Sequence, residues 1–127
     1  MLEVLVFRMN TELFLDILKI DSTTGKEEEL ADFLADRLPV GRCRVERYEN
    51  PVNLLFSWGE PKVIFCTHLD TVPPYIAPTV TTDFSVGSST MSDVIDTSFH
   101  GRGTADAKGQ VFAMYEACLE LEKTGHT

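Results

Sequence analysis

The feature that most constrains this chain is the apolar run Val63-Ile64-Phe65-Cys66, followed at once by Thr67-His68-Leu69-Asp70. Gly59-Glu60-Pro61 precedes it as a turn signal. An unbroken apolar run bounded by turn residues reads as a β-strand buried on both faces, the kind found in helix-covered sheets. The flanking sequence agrees. Leu13, Phe14, Ile17 and Leu18 share one helical face, and Asp21-Ser22-Thr23-Thr24-Gly25 breaks that pattern. Thr24 and Glu27 then have the spacing of a capping box. Leu30, Phe33, Leu34 and Leu38 form a second amphipathic stripe, which Pro39 and Gly41 end. Residues 43–49 and 53–58 read as further strands, and residues 71–99, rich in Pro, Ser, Thr and Asp, read mostly as loop. Val111, Met114, Tyr115, Cys118 and Leu121 mark a last helix, closed by Thr124-Gly125. Helices and strands in this arrangement point to an α/β layer architecture.

At 127 residues the chain has the length of one domain and can bury a real core. Its formal net charge of -9, with no Lys/Arg cluster, argues against a nucleic-acid binder, which needs a basic stripe to displace counterions from phosphates. No apolar run approaches the ~18 residues of a membrane span. Residues 1–8 are apolar but lack the basic region and cleavage site of a signal peptide, and are expected to be an N-terminal extension. Cys43, Cys66 and Cys118 are odd in number and widely spaced, which suits reduced thiols and a cytoplasmic location.

Two constellations carry chemistry. In the first, Thr67-His68-Leu69-Asp70-Thr71-Val72-Pro73-Pro74, the histidine leaves the strand where α/β sheets open onto a ligand crevice. Neutral imidazole is a good zinc ligand. Asp70, two residues on, can lie on the same side of an extended segment and hold the ring by its other nitrogen. In the second, Gly101-Arg102-Gly103-Thr104-Ala105-Asp106-Ala107-Lys108-Gly109, glycines permit tight turns and Asp106 stands at the mouth of the last helix. A carboxylate there can bridge two cations, one per oxygen, or simply cap the helix. Phosphate-binding readings fail. The third glycine of a dinucleotide fingerprint would fall on Asp106, and Lys108 precedes Gly109 and Gln110 rather than following a glycine and preceding Ser or Thr as in a P-loop.

Taken together, HLDTVPP and GRGTADAKG, in this order and spacing, resemble the metallopeptidase and deacylase family that includes acetylornithine deacetylase, succinyl-diaminopimelate desuccinylase, aminoacylase, and several carboxypeptidases and dipeptidases. The resemblance runs from Met9 onward and leans toward the deacetylase and desuccinylase branch. It implies that residues 9–127 are the N-terminal portion of a catalytic zinc-peptidase-like α/β sandwich, a mixed sheet flanked by helices. The rest of that domain and a lid or dimerisation domain are expected to be absent. By the same resemblance, His68 is a terminal ligand of one metal, Asp106 bridges two, and Asp70 orients and tunes His68. The cofactors implied are two divalent ions, zinc or alternatively cobalt. The reaction implied is hydrolysis of the amide bond in small N-acyl amino acids or short peptides, with a homodimer as the complete protein. The family's general-base glutamate and its remaining ligands are expected beyond Thr127. His100, in a polar loop, and His126, near the end, are not matched to family ligands, and Glu116, Glu120 and Glu122 read as a solvated helix face. The competing expectations are a non-catalytic binding or regulatory module on the same fold, and a generic α/β domain in which His68 and Asp106 only cap structure.

Overall fold

Three helices supply the core of the structure, a computed structural model that describes residues 10–38, 43–84 and 95–124. Helix α1 spans Thr11–Lys19. The Asn10 side chain caps it, accepting a hydrogen bond from the Leu13 N–H at 3.1 Å. Helix α2 spans Glu28–Arg37, with Glu28 and Glu29 in its first turn, where the helix dipole favours negative charge. Strands β1 (Arg44–Tyr48) and β2 (Asn53–Ser57) form an antiparallel hairpin in which Arg44 faces Ser57 and Tyr48 faces Asn53. A second antiparallel hairpin joins β3 (Thr79–Phe84) to β4 (Ile95–His100). Helix α3, Lys108–Thr124, closes the described chain.

The amphipathic stripes meet as their spacing requires. Leu13, Phe14, Ile17 and Leu18 of α1, Leu30 and Leu34 of α2, and Val111, Phe112 and Tyr115 of α3 form one buried cluster. Phe14 stacks on Phe112 and meets Phe99 edge-on, both at 4.9 Å between ring centroids. The buried Tyr115 hydroxyl donates to the Leu34 carbonyl at 2.7 Å, so its one polar atom keeps a partner. Each fully buried Leu or Ile side chain contributes about 1.5–3 kcal/mol to holding the helices together.

The α/β class read from the sequence holds, as do the three helices and the first two strands. The sheet differs from the expected single mixed one: among the described residues the strands form two separate two-stranded hairpins, both antiparallel. The run expected as a buried strand is also different. Residues 62–67 are in no strand, and Val63, Ile64 and Phe65 are 69%, 74% and 79% exposed. A strand buried on both faces needs a neighbour at each edge and cover on each face. Here the hairpin strands pair only with one another. Conversely, the region read as loop contains β3 and β4. Thr79, Val80, Thr81 and Thr82 are all exposed, so this part of β3 lacks the inside-outside alternation by which a strand is recognised. The expected capping box does not form. The Thr24 hydroxyl is engaged elsewhere, and Glu27 receives the Gly25 N–H at 2.9 Å. Pro39, Gly41, Gly125 and the expected extension at residues 1–8 lie outside the described residues.

Candidate functional site

Segment 67–71 and the turn before α3 are brought together by contacts at several points. The Thr67 hydroxyl donates to the Gln110 side-chain oxygen at 3.2 Å, tying the start of the segment to α3. Downstream, Leu69 packs against the core and Thr71 is buried. Thr71 lies beside Gly103, whose φ of +90° is a conformation other residues resist. A Cβ on Gly103 would stand 2.9 Å from the Thr71 methyl. Gly109 is equally restricted, because a Cβ there would meet the Thr104 carbonyl oxygen at 2.5 Å. The glycines of this motif thus let two backbone segments approach closely.

The result is that His68 and Asp106, 38 residues apart in sequence, face each other. His68 Nε2 lies 2.9 Å from Asp106 Oδ1. The other ring nitrogen, Nδ1, lies 2.9 Å from the Asp70 carbonyl oxygen and 3.2 Å from Asp70 Oδ1. Carbonyl and carboxylate oxygens only accept, so Nδ1 carries a hydrogen and donates to Asp70. Asp70 is held in turn, its Oδ2 accepting from the Thr24 hydroxyl at 2.9 Å. The Asp70 carbonyl beside the ring pushes the His68 pKa above its ordinary 6.5. The hydrogen bond to Asp106 and the charges of both acids act in the same direction, against a partial loss of hydration. With acceptors at both nitrogens, the imidazolium form satisfies every contact. The site is open: the Asp106 side chain is 86% exposed.

Asp106 does not act as the helix cap that the alternative reading proposed. The first α3 amide, that of Lys108, donates to the Gly103 carbonyl at 2.8 Å, and the Asp106 carboxylate is turned toward His68. Lys108 itself is fully buried, and its ammonium donates to the Ile20 carbonyl at the end of α1. Loss of hydration pulls its pKa down to about 8.

The donor set suits a zinc-type cation. Two atoms bound to one tetrahedral zinc at ~2.0–2.1 Å stand about 3.3 Å apart, so Nε2 and Oδ1 would separate by only a few tenths of an ångström from their present 2.9 Å. Among the described residues, no three His, Cys, Asp or Glu side chains converge on one metal position. His100 stands at the end of β4 with its Nε2 3.4 Å from the Thr81 hydroxyl; His126 lies outside the described residues. Glu116 and Glu122 are not simply a solvated face. They accept from the Asn10 amide at 2.9 Å and from the Trp58 indole N–H at 2.6 Å, tying α3 to its neighbours. An open depression lined by Asp21, Lys26, Glu28, Glu29 and Asp32 lies on the early helices and includes neither His68 nor Asp106. Sequence reasoning missed Ser22 and Thr24. Their signal was present in the polar break after α1, where an apolar helix gives way to five residues rich in hydroxyls.

Comparison with known proteins bears on the same residues. The model for peptidase family M20/M25/M40 matches residues 64–127, which include both constellations. A "probable carboxypeptidase" of Aspergillus clavatus is 34% identical over 113 residues, covering 84% of this chain and 27% of the relative. Another so named, from Aspergillus flavus, is 31% identical over 118 residues, covering 84% and 26%. A LysW-lysine/LysW-ornithine hydrolase of Sulfurisphaera tokodaii is 30% identical over 115 residues, covering 91% and 28%. The chain therefore spans about a quarter of the length of the curated relatives it matches. No solved structure matches it.

Proposed function

Because this chain belongs to peptidase family M20/M25/M40, we propose that it forms the metal-binding entrance of a hydrolase that cleaves amide bonds in N-acyl amino acids or short peptides. Peptidases of this family are generally metal-dependent, typically on zinc. The observation that carries the reading is the approach of His68 Nε2 to within 2.9 Å of Asp106 Oδ1. An imidazole and a carboxylate brought together from distant parts of a chain, both accessible to solvent, form the start of a cation site.

In this reading each residue has a separate task. Asp70 accepts a hydrogen bond from the Nδ1–H of His68, which fixes the tautomer and leaves Nε2 as the nitrogen that gives up a proton in exchange for a cation. Thr24 holds Asp70 from behind. Asp106 offers one oxygen toward His68, and its second oxygen would be available to hold a neighbouring cation. When bound, a pair of divalent ions supplies polarisation of the amide carbonyl and a water of lowered pKa. Hydrolysis then gives a carboxylate and an amine. Both kinds of relative, carboxypeptidases and the LysW-lysine/LysW-ornithine hydrolase, support amide cleavage as the reaction class. The three cysteines, all free thiols, suit a reducing cytoplasm. Among the described residues, no helix is long and apolar enough to cross a membrane.

With two ligand groups among the described residues, where a stable zinc site uses three or four, the 127 residues alone bind metal weakly and do not hydrolyse substrate. The test is made in a protein of the relatives' length that carries these residues. There, Asp106→Ala abolishes metal-dependent release of amino acid from N-acyl amino acids and dipeptides; hydrolysis at the unmutated rate would remove Asp106 from the site.

A further inference from the structure

Two arms carry the paired residues, and both are anchored on the same short segment at the end of α1. The arm bearing His68 and Asp70 is held by Ser22, Thr23 and Thr24. The buried Ser22 hydroxyl donates to the Leu69 carbonyl at 2.7 Å, and the Thr71 amide donates to the Ser22 carbonyl at 2.9 Å. The Thr24 amide donates to the Thr71 carbonyl at 3.0 Å, giving a parallel bridge between Thr23 and Thr71. The segment keeps its own shape through Asp21, whose Oδ1 accepts from the Thr23 amide at 3.0 Å and hydroxyl at 2.9 Å. Among the described contacts, the arm bearing Asp106 reaches that segment through Lys108, whose ammonium donates to the Ile20 carbonyl.

A lysine is an expensive way to fill this space. It is 0% exposed, and no carboxylate pairs with its ammonium among the described contacts. A leucine or methionine would fill similar volume without the cost of dehydrating a charge. What the ammonium adds is a charge-assisted hydrogen bond to a carbonyl that the end of α1 leaves open. Its stem also packs on Gly103, where an added Cβ would lie 3.0 Å from Lys108 Cδ and 2.9 Å from the Thr71 methyl, so both arms press on one glycine.

We propose that Lys108 is a positioning residue whose buried ammonium, with Ser22 of the anchoring segment holding the opposite arm, sets the separation of His68 and Asp106 and thereby the affinity of the site for a divalent cation. The inference rests on the reading of His68 and Asp106 as ligands. Ser22 and Lys108 touch neither side chain of the pair, so their effect passes through backbone placement.

The test uses Mn2+ as a paramagnetic probe on this chain, because sub-stoichiometric Mn2+ broadens amide resonances even where binding is weak. In the unmutated chain the amides around His68 and around Asp106 broaden together as Mn2+ is added. In Lys108→Met, which keeps the bulk and removes the ammonium, the Mn2+ needed for half-broadening rises about tenfold or more, as for loss of other groups that orient ligands. Leu34→Ala, a core change that loosens the fold without touching either arm, keeps the unmutated response. If Lys108→Met loses native chemical-shift dispersion, Ser22→Ala carries the same expectation. Folded Lys108→Met or Ser22→Ala broadening at the unmutated Mn2+ concentration overturns the positioning role while leaving the ligand pair intact. Failure of the unmutated chain to broaden at both segments overturns the ligand reading, and this inference with it.

Discussion

At the scale of single residues, His68 is the group whose state decides what the site can hold. Its Nδ1–H donates to Asp70, so a cation must displace the proton at Nε2. The pKa of His68 lies above 6.5, chiefly because of the Asp70 carbonyl, and the protonated form therefore persists to higher pH than in a free histidine. Above that pKa the nitrogen is free and affinity is pH-independent. Below it, each pH unit weakens zinc binding about tenfold, because one proton competes for one site. Zinc titrations should show that slope with release of one proton per ion below the His68 pKa, and a plateau with no proton release above it. A flat profile would mean that the ion binds elsewhere. Thr24→Val removes the hydroxyl that holds Asp70 and should weaken zinc binding by about 10–100-fold with little loss of fold. Calorimetry of the variant checks this.

At the scale of elements, the sequence was most legible where periodicity and burial agree. The faces of α1 and α3 carried their own signal, since Leu13, Phe14, Ile17 and Leu18 on one and Val111 and Tyr115 on the other are buried together. The signal was weakest where burial is one-sided or missing. Residues 79–82 make a strand with every side chain exposed, so composition alone resembled a loop. The run Val63-Ile64-Phe65 has the composition of a buried strand and is exposed, because apolarity encodes a need for neighbours and cannot supply them. The HLDTVPP and GRGTADAKG strings were legible because each is short and contiguous in sequence. The Ile20–Thr24 segment that brings them into register was legible only as a hydroxyl-rich break after an apolar helix, since its contact over 47 residues leaves no periodic trace. Two stability measurements follow. Leu30→Ala, at a position with 0% exposure shared by the helices, should cost about 2–5 kcal/mol in chemical denaturation. Gly103→Ala should destabilise by about 1–3 kcal/mol, because its φ of +90° and the Thr71 methyl at 2.9 Å both oppose a Cβ.

At the scale of the whole molecule, a helical core holds two hairpins and leaves one apolar segment uncovered beside its candidate site. Val63, Ile64 and Phe65 are contiguous, more than two-thirds exposed, and immediately upstream of His68. An exposed apolar run of this kind is open to cover by other apolar surface. The chain spans about a quarter of the length of its relatives, and in a protein of their length further strands have room to cover this run. In the 127-residue chain, 8-anilinonaphthalene sulfonate fluorescence should rise on addition of protein, and Phe65→Lys should lower that signal without changing the melting temperature. Dye binding unchanged by the substitution would place the apolar surface elsewhere.

The central claim is that His68 and Asp106 meet at one cation, with Asp70 on the far side of the ring. The nitrogen spectrum of the histidine rings during a zinc titration reads this directly. The account predicts that Nε2 of His68 loses its proton and takes a metal-bound shift while Nδ1 stays protonated, and that Asp106→Ala removes the change at the same zinc concentration. A His68 ring that zinc leaves untouched, or that responds identically without the Asp106 carboxylate, would contradict it.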